Sequence, residues 1–515
     1  MAVLSSILRA ISSDKSLWVF FVGFLAILFL NGFPVSWGGN EVHYLLLSHS
    51  FVEDDVYGEL FSAYDETNSK FFIYYLLGSL VQVLGFDLTQ IVVTLFLLIM
   101  MSLALSFFCK ELQLSPPLAF LGSALFFFAL DGAYYGGAGI SLSTEAKNFA
   151  YIGTLFSLTF ALRKKWIVSN AFAIFATYCH FLVGGFWTLA AIAIFWHNNN
   201  DRSSALKLFG SYVICVLPLV VTLGLERMEA VPEYVKEFEY SLNYIYAAIR
   251  NPHHIAPFAS MDGITFWIQG FINIVIVASG LLFLRFTISN EDDRRYINII
   301  IGLHAYLVLA LIISFIDQKT YLLAAFYMFR PAALTLLLTL LILARLVTRH
   351  TGTKNLETRS FLALCALGVV LSGPVTSFLA DTVNYKGVSV EAQLSEDERQ
   401  LVDWIRDNTN ADDAFLLSPT VSGDYGPPKW LGFEMYTGRP AVVQFKFVAT
   451  AKADLAKWYR DITNSRKLLG GDCNATELLP FDYIVYSDEA PNKGLEDCTV
   501  EVAAFGNARL LQITR

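Results

Sequence analysis

The residues able to do chemistry gather just past the first long apolar run. There Asn40, Glu41, His43 and Tyr44 follow the segment Pro34-Val-Ser-Trp-Gly-Gly39. Ionisable groups at a membrane boundary are costly to desolvate, so they tend to occupy watered functional cavities. In a partly dry pocket a carboxylate can take a proton from a sugar or alcohol hydroxyl. Glu41 is therefore the candidate base, and its plain alternative is a solvated or capping carboxylate. Asp54 and Asp55 can orient that base or hold a divalent cation such as Mg or Mn. Acidic pairs in loops are more often simply solvated.

Three further groups lie in later loops. Glu145 and Lys147 follow the glycine-rich stretch 132–139, where the backbone can come close to a ligand. A carboxylate beside the positive end of a helix is the other reading of Glu145. Arg250, His253 and His254 form a cationic cluster able to neutralise a departing phosphate. Two adjacent histidines are poorly placed to share one metal ion. Lys319 and Arg330 flank an apolar helix, and an unpaired buried Arg330 would be expensive, so it calls for a phosphate or carboxylate partner. Snorkelling to the headgroups is the alternative. His180, between two short apolar runs, reads as packed or as substrate-binding. The sequence holds no P-loop, GxSxG or HExxH motif. Asn474-Ala-Thr476 fits a glycosylation sequon, which matters only in a eukaryotic secretory pathway.

The scaffold for these groups is a membrane one. Of 515 residues 55% are hydrophobic and 16% charged, against about 25% charged in a soluble domain. A spanning helix needs about 20 apolar residues. Eleven segments qualify, near 17–35, 88–109, 116–133, 146–162, 166–181, 183–196, 207–225, 264–284, 296–316, 330–347 and 360–379. The short pair 166–181 and 183–196 is expected to form a tight helical hairpin around His180. The run 71–85 is expected to lie at the interface rather than span. The first run lacks a small-residue cleavage site and reads as an uncleaved span.

Charge supports one threading. With the N-terminus cytoplasmic, the segments 1–16, 110–115, 163–166, 197–207, 285–295 and 345–359 face inward. They hold 15 of the 22 Lys+Arg that precede residue 380, as the positive-inside rule requires. An odd number of spans then places the tail outside. Residues 380–515 carry 14 Lys+Arg and 21 Asp+Glu, a net of −7 out of the chain's −9. No basic tract occurs, which sets nucleic-acid binding aside.

The tail, 381–515, reads as a small α/β domain beside a membrane part spanning 1–380. Ser395-Glu-Asp-Glu398 is a capping-box pattern opening a helix. Strand-like runs follow at 414–417, 441–447, 483–486 and 508–513, with a helix near 454–463. The loops 36–70 and 226–262 are long and aromatic-rich, as lids and binding elements are. Cys473 and Cys498 lie in the tail and can pair if it faces an oxidising compartment, or stay free.

On these residues the chain resembles the GT-C superfamily of membrane glycosyltransferases. The shared features are a first span and then a long outer loop with an acidic motif, often Asp-Glu and an aromatic. Here the stretch reads Asn40-Glu41-Val42-His43-Tyr44, so only Glu41 carries over as base. Glu145 stands where a second acid often lies. The tail is similar to outer domains on uncharacterised bacterial members, through Trp404-Ile-Arg-Asp-Asn-Thr409 and Phe433-Glu-Met-Tyr-Thr-Gly-Arg439. The resemblance implies a polytopic α-helical enzyme of the bacterial inner membrane with its C-terminal domain in the periplasm. It would transfer sugar with inversion from a polyprenyl-phosphate donor to a glycan, lipid or protein acceptor. Arg330, with Arg250 or Lys319, would hold the departing phosphate in a cavity shared with Glu41. A lipid-glycan flippase and a non-catalytic envelope assembly protein are the competing classes. The absence of an internal repeat counts against the first of these.

Overall fold

The computed structural model describes residues 14–32, 37–53, 57, 70–130, 134, 139–140, 142–226, 228, 230–251, 254, 256, 261–323, 326–350, 368, 374–383, 387, 389–417, 430, 432–441, 451–487 and 491–514. Among these residues, seven helices are long and apolar enough to cross a membrane. They include α1 (Lys15–Gly32), α2 (Phe71–Glu111), α3 (Glu291–Asp317) and α4 (Ala332–His350). The expected eleven are not all recovered, for two physical reasons. Pro116–Leu130 and Trp166–Cys179 are helical and apolar but short, and Ala146–Leu162 has 17 residues. The last expected span, 360–379, lies mostly outside the described residues.

The run 71–85 and the span after it are one helix by hydrogen bonding, broken at Gly85 (φ 74°, ψ 172°). Only glycine adopts that conformation without penalty, so the break divides the two pieces where the apolar runs divide. The short hairpin also forms. Trp166–Cys179 and Phe181–Ala193 are joined by His180 alone, whose Nδ1 accepts from the Val183 amide at 3.4 Å. A Cβ on Gly184 would lie 2.2 Å from the Thr177 nitrogen, so glycine is what lets the hairpin close.

The chain divides into two compact units. The first holds Met1–Pro34, Val93–Leu219 and Asn251–Tyr385. Here the expected inward-facing segments meet one another in a polar network. Lys110 pairs with Asp14, and Arg163 with Glu111 at 2.7 Å. Arg345 pairs with Asp293 at 2.9 Å, donates to the Leu112 carbonyl at 2.6 Å and stacks on Tyr296. Arg349 reaches Asp293 and Gln113. Arg295 donates to the Asn198 carbonyl, and Asn298 contacts both His197 and Arg285. The Asp293 and Arg345 side chains are 1% and 4% exposed, so this is a buried ion pair.

The second unit takes in Val35–Val92, Val220–Arg250 and Lys386–Arg515. Its four-stranded sheet has the order β1-β2-β4-β3, with β1 (Phe415–Leu417) parallel to β2 (Tyr483–Tyr486). The pairs β2 with β4 (Ala508–Ile513) and β4 with β3 (Thr499–Phe505) are antiparallel. The strand β3 was not expected. Its signal was the turn Gly506-Asn507, with Gly506 at φ 55°, which suits a two-residue hairpin. Of the expected strand 441–447, Ala441 bridges to Phe415 and the rest lies outside the described residues. The capping box at Ser395 and Glu398 is complete. Trp458, Ile462, Phe481, Ile484 and Leu511 form the core, and Leu242 and Ile245 of the 226–262 loop join it.

Cys473 and Cys498 form a disulfide. Opening its loop of 25 residues should cost about 3.5 kcal/mol in the chain-entropy model. Cys473→Ser should therefore lower the unfolding midpoint of this unit, read by thermal denaturation. Alkylation followed by mass spectrometry should find both thiols blocked only after reduction. In the other unit, Arg345→Met leaves the buried Asp293 with Arg349 at 3.3 Å as its remaining cation, and losing the closer partner should cost about 3 kcal/mol, the lower end for a broken buried pair. The double variant Arg345→Met/Asp293→Leu should recover a large part of that loss in the same assay.

Candidate functional site

The first unit contains a built cationic corner where α3 turns into α4. Asp317, at the last turn of α3, organises the turn. Its carboxylate accepts the amides of Leu322 at 3.0 Å and Leu323 at 2.8 Å, and the Thr320 hydroxyl. Tyr321 and Tyr327 are held at φ 49° and 45°. Bulky residues rarely occupy that left-handed region, and each such residue stores about 1–3 kcal/mol. Arg330 follows, its guanidinium 4.7 Å from the Tyr327 ring centroid. Its Nε is buried and has no hydrogen-bond partner among the described residues. No ion pair to Arg330 exists among the described residues. The residue sits just ahead of the first turn of α4, whose positive dipole end favours an anion.

The surroundings of Arg330 are drawn from distant parts of the chain. Tyr151 reaches the Arg330 carbonyl with its hydroxyl at 3.5 Å. His254 lies 6.0 Å from Tyr327, centroid to centroid, and Phe329 packs on Trp267 at 4.6 Å. Lys147 stands one helical turn before Tyr151, on the same face. Its ammonium is already matched by Glu145 at 2.8 Å, and both are buried. Ser143 adds a hydrogen bond to Glu145. Lys319 is exposed on the turn after α3. His180 caps the second helix of the hairpin through its Nδ1. His253, Asp54 and Asp55 lie outside the described residues. Among the described residues no group of three or more His, Cys, Asp or Glu is placed to hold a metal.

An apolar groove of about 250 Å³ also lies in this unit, lined by Phe96, Met100, Phe149, Phe156, Phe172 and Phe175. Its lining is aromatic and aliphatic throughout, which suits a hydrocarbon chain. Phe149 and Phe156 project from the face of their helix opposite Lys147 and Tyr151.

Glu41, Asn40, His43 and Arg250 belong to the second unit. Glu41 lies in the first turn of the helix Gly39–Val52 and is half-buried. On that face, Leu45 and Ser48 are fully buried further along. The helix crosses α2 at Gly78, where a Cβ would stand 2.0 Å from the Ser48 carbonyl oxygen. Asp87 secures the segment before Glu41. Its carboxylate accepts the Trp37 side chain, the Ser389 hydroxyl and, at 3.3 Å, the Val390 amide. Sequence reasoning missed Asp87, Asp317 and Tyr327, because each acts on partners brought to it by the fold rather than through a motif.

A buried acidic cluster occupies the same unit. Glu434 is 1% exposed. Glu398 accepts from Ser487 at 2.6 Å. Tyr57 and Tyr436 are both raised well above the usual phenol range, first by burial and then by the charge of Glu434. Tyr57 contacts His49 Nδ1 at 3.0 Å, and His49 Nε2 lies 3.1 Å from Glu53. Burial lowers the His49 pKa, and Glu53 only partly opposes this.

Among the described residues, seven helices long and apolar enough to span, together with a small α/β unit, make this a multi-pass membrane protein with a folded polar unit. Over residues 396–464 the chain is similar to a domain of unknown function, DUF6798. No curated protein matches the chain. The matched stretch includes Glu398, Glu434 and Tyr436, so the buried acidic cluster falls largely inside it.

The His49 shift sets a pH test. A histidine whose folded pKa is depressed favours the native state above its unfolded pKa of 6.5. That contribution is lost as pH falls from 6.5 through the folded value. The second unit should therefore lose stability on acidification below pH 6.5, and His49→Gln should flatten that part of the profile. Chemical denaturation at several pH values reads both.

Proposed function

We propose that this chain is a membrane glycosyltransferase of GT-C type that uses a polyprenyl-phosphate sugar and transfers with inversion. The observation that carries the reading is Arg330. Its guanidinium is stacked on Tyr327 with a buried Nε, among the described residues neither a hydrogen-bond acceptor for that Nε nor a paired carboxylate is present, and a helix start lies beside it. A phosphate monoester or diester supplies the missing acceptors, and arginine binds it through two parallel N–H groups. The aromatic groove gives separate support for a ligand with a long hydrocarbon tail.

In this reading the acceptor hydroxyl attacks the anomeric carbon as its proton passes to a carboxylate. The bond from that carbon to the phosphate oxygen breaks, and the polyprenyl phosphate leaves as an anion neutralised by Arg330. By resemblance the base is Glu41. The pairing of Lys147 with Glu145 at 2.8 Å supports Arg330 ahead of Lys147 as the phosphate ligand. The lysine- and arginine-rich network supports a cytoplasmic side for the helix ends that carry it. The disulfide supports an oxidising compartment, the periplasm of a bacterial cell, for the unit that carries it.

The test uses full-length protein in lipid nanodiscs with polyprenyl-phosphate sugars. Wild type should release free polyprenyl phosphate. Arg330→Met should weaken donor binding and cut release about a hundredfold, in line with losing one charge-stabilising group. Glu41→Gln should keep donor binding and lose release. Full-rate release from a folded Glu41→Gln variant would remove Glu41 as base. Unchanged donor affinity in Arg330→Met would overturn the phosphate assignment.

A further inference from the structure

The second unit carries a row of half-buried aromatic rings that the proposed chemistry does not use. Tyr234, Phe238, Tyr240 and Tyr244 come from the 226–262 loop, and Tyr459 comes from the helix Lys452–Leu469. The rings touch in two groups. Tyr234 meets Phe238 at 5.9 Å, and Phe238 meets Tyr459 edge-on at 5.1 Å. Tyr240 and Tyr244 stack at 4.8 Å with an interplanar angle of 14°. Tyr240 and Tyr459 pack against the core of the unit, so the rings are held in place from beneath.

Polar groups border the row. Tyr240 donates to the Glu239 carboxylate, and Tyr459 hydrogen-bonds Thr463. The Arg460 guanidinium lies 4.8 Å from the Tyr234 ring centroid, with its Nε held by Asp461 at 3.0 Å. Flat faces with fixed polar groups at their rims match a pyranose, which offers C–H bonds on one face and hydroxyls around its edge. The electron-rich ring face attracts the weakly positive C–H hydrogens, and the rim carboxylate and guanidinium take the hydroxyls.

We infer that this row is a glycan-binding face for an uncharged oligosaccharide. A membrane surface is the other natural partner for tyrosines. The charge argues against it: Glu233, Glu237 and Glu239 are all exposed on the same loop and would be repelled by anionic headgroups. Glycan binding here does not depend on sugar transfer. As the place that holds a glycan acceptor, the face rests on the transferase reading.

The experiment titrates full-length protein in nanodiscs with two probes, the β-1,4-linked N-acetylglucosamine hexamer and the α-1,4-linked glucose hexamer. Saturation-transfer NMR and calorimetry read binding. At least one probe should bind, and Tyr244→Ala and Tyr240→Phe/Tyr244→Ala should weaken it tenfold or more. Glu239→Gln should weaken it by a smaller factor. A circular-dichroism melt confirms that the variants are folded, and Tyr244→Phe, which keeps the ring, should retain most of the affinity. Binding of neither hexamer, or equal binding by the folded Tyr244→Ala variant, would overturn the inference. So would tyrosine-dependent attachment to glycan-free anionic vesicles without hexamer binding. Polyprenyl-phosphate release is scored in parallel, so loss of the transferase reading and loss of this one appear in different measurements.

Discussion

The buried pair between Asp293 and Arg345 is the constraint on which the first unit depends. Both charges are out of water, and each is costly there without the other. Asp293 belongs to the first turn of α3 and Arg345 to the last turns of α4. The pair therefore sets the register of two antiparallel helices at one end. Arg345 also donates to the Leu112 carbonyl, which adds the end of α2 to the same lock. The 19 residues of α4 rise about 28 Å. At the far end of these helices the geometry is completed by a second aspartate. Asp317 holds the turn that leads to Arg330.

The contrast between the two arginines explains why only one is a candidate for ligand binding. Arg345 is saturated by a carboxylate, a carbonyl and an aromatic ring. Arg330 has its ring but, among the described residues, no carboxylate. The same distinction applies to Lys147, whose buried charge Glu145 cancels. Burial alone does not mark a functional cation. A buried donor left unfilled makes a cation a candidate for ligand binding, because leaving it unfilled is unfavourable until an anion arrives.

The second unit is assembled from three separated stretches of chain, and different forces join them. Close backbone approach at Gly78 seats the helix that carries Glu41. Three donors converging on Asp87 tie Trp37 to Ser389 and Val390. Apolar burial of Leu242 and Ile245 brings in the aromatic loop. The disulfide then closes the C-terminal part. The glycan-binding face inferred above exists only because the loop packs on the helix Lys452–Leu469, which places Tyr459 among rings from two hundred residues earlier.

Membrane character, the hairpin at His180, the break near Gly85 and the capping box at Ser395 were all legible in the chain. Each depends on local hydrophobic period, a short-range cap or one glycine, and such signals need no partner from elsewhere. The charge pattern likewise told which helix ends belong together, because lysine and arginine accumulate on one side of a bilayer. Tertiary structure alone decided which charges are cancelled. Glu145 sits two residues from Lys147, yet sequence could not say whether they pair; Asp293 and Arg345 lie 52 positions apart and do. Ion pairing depends on distances of a few ångströms between side chains, and those distances are fixed by how helices pack rather than by the order of residues along them.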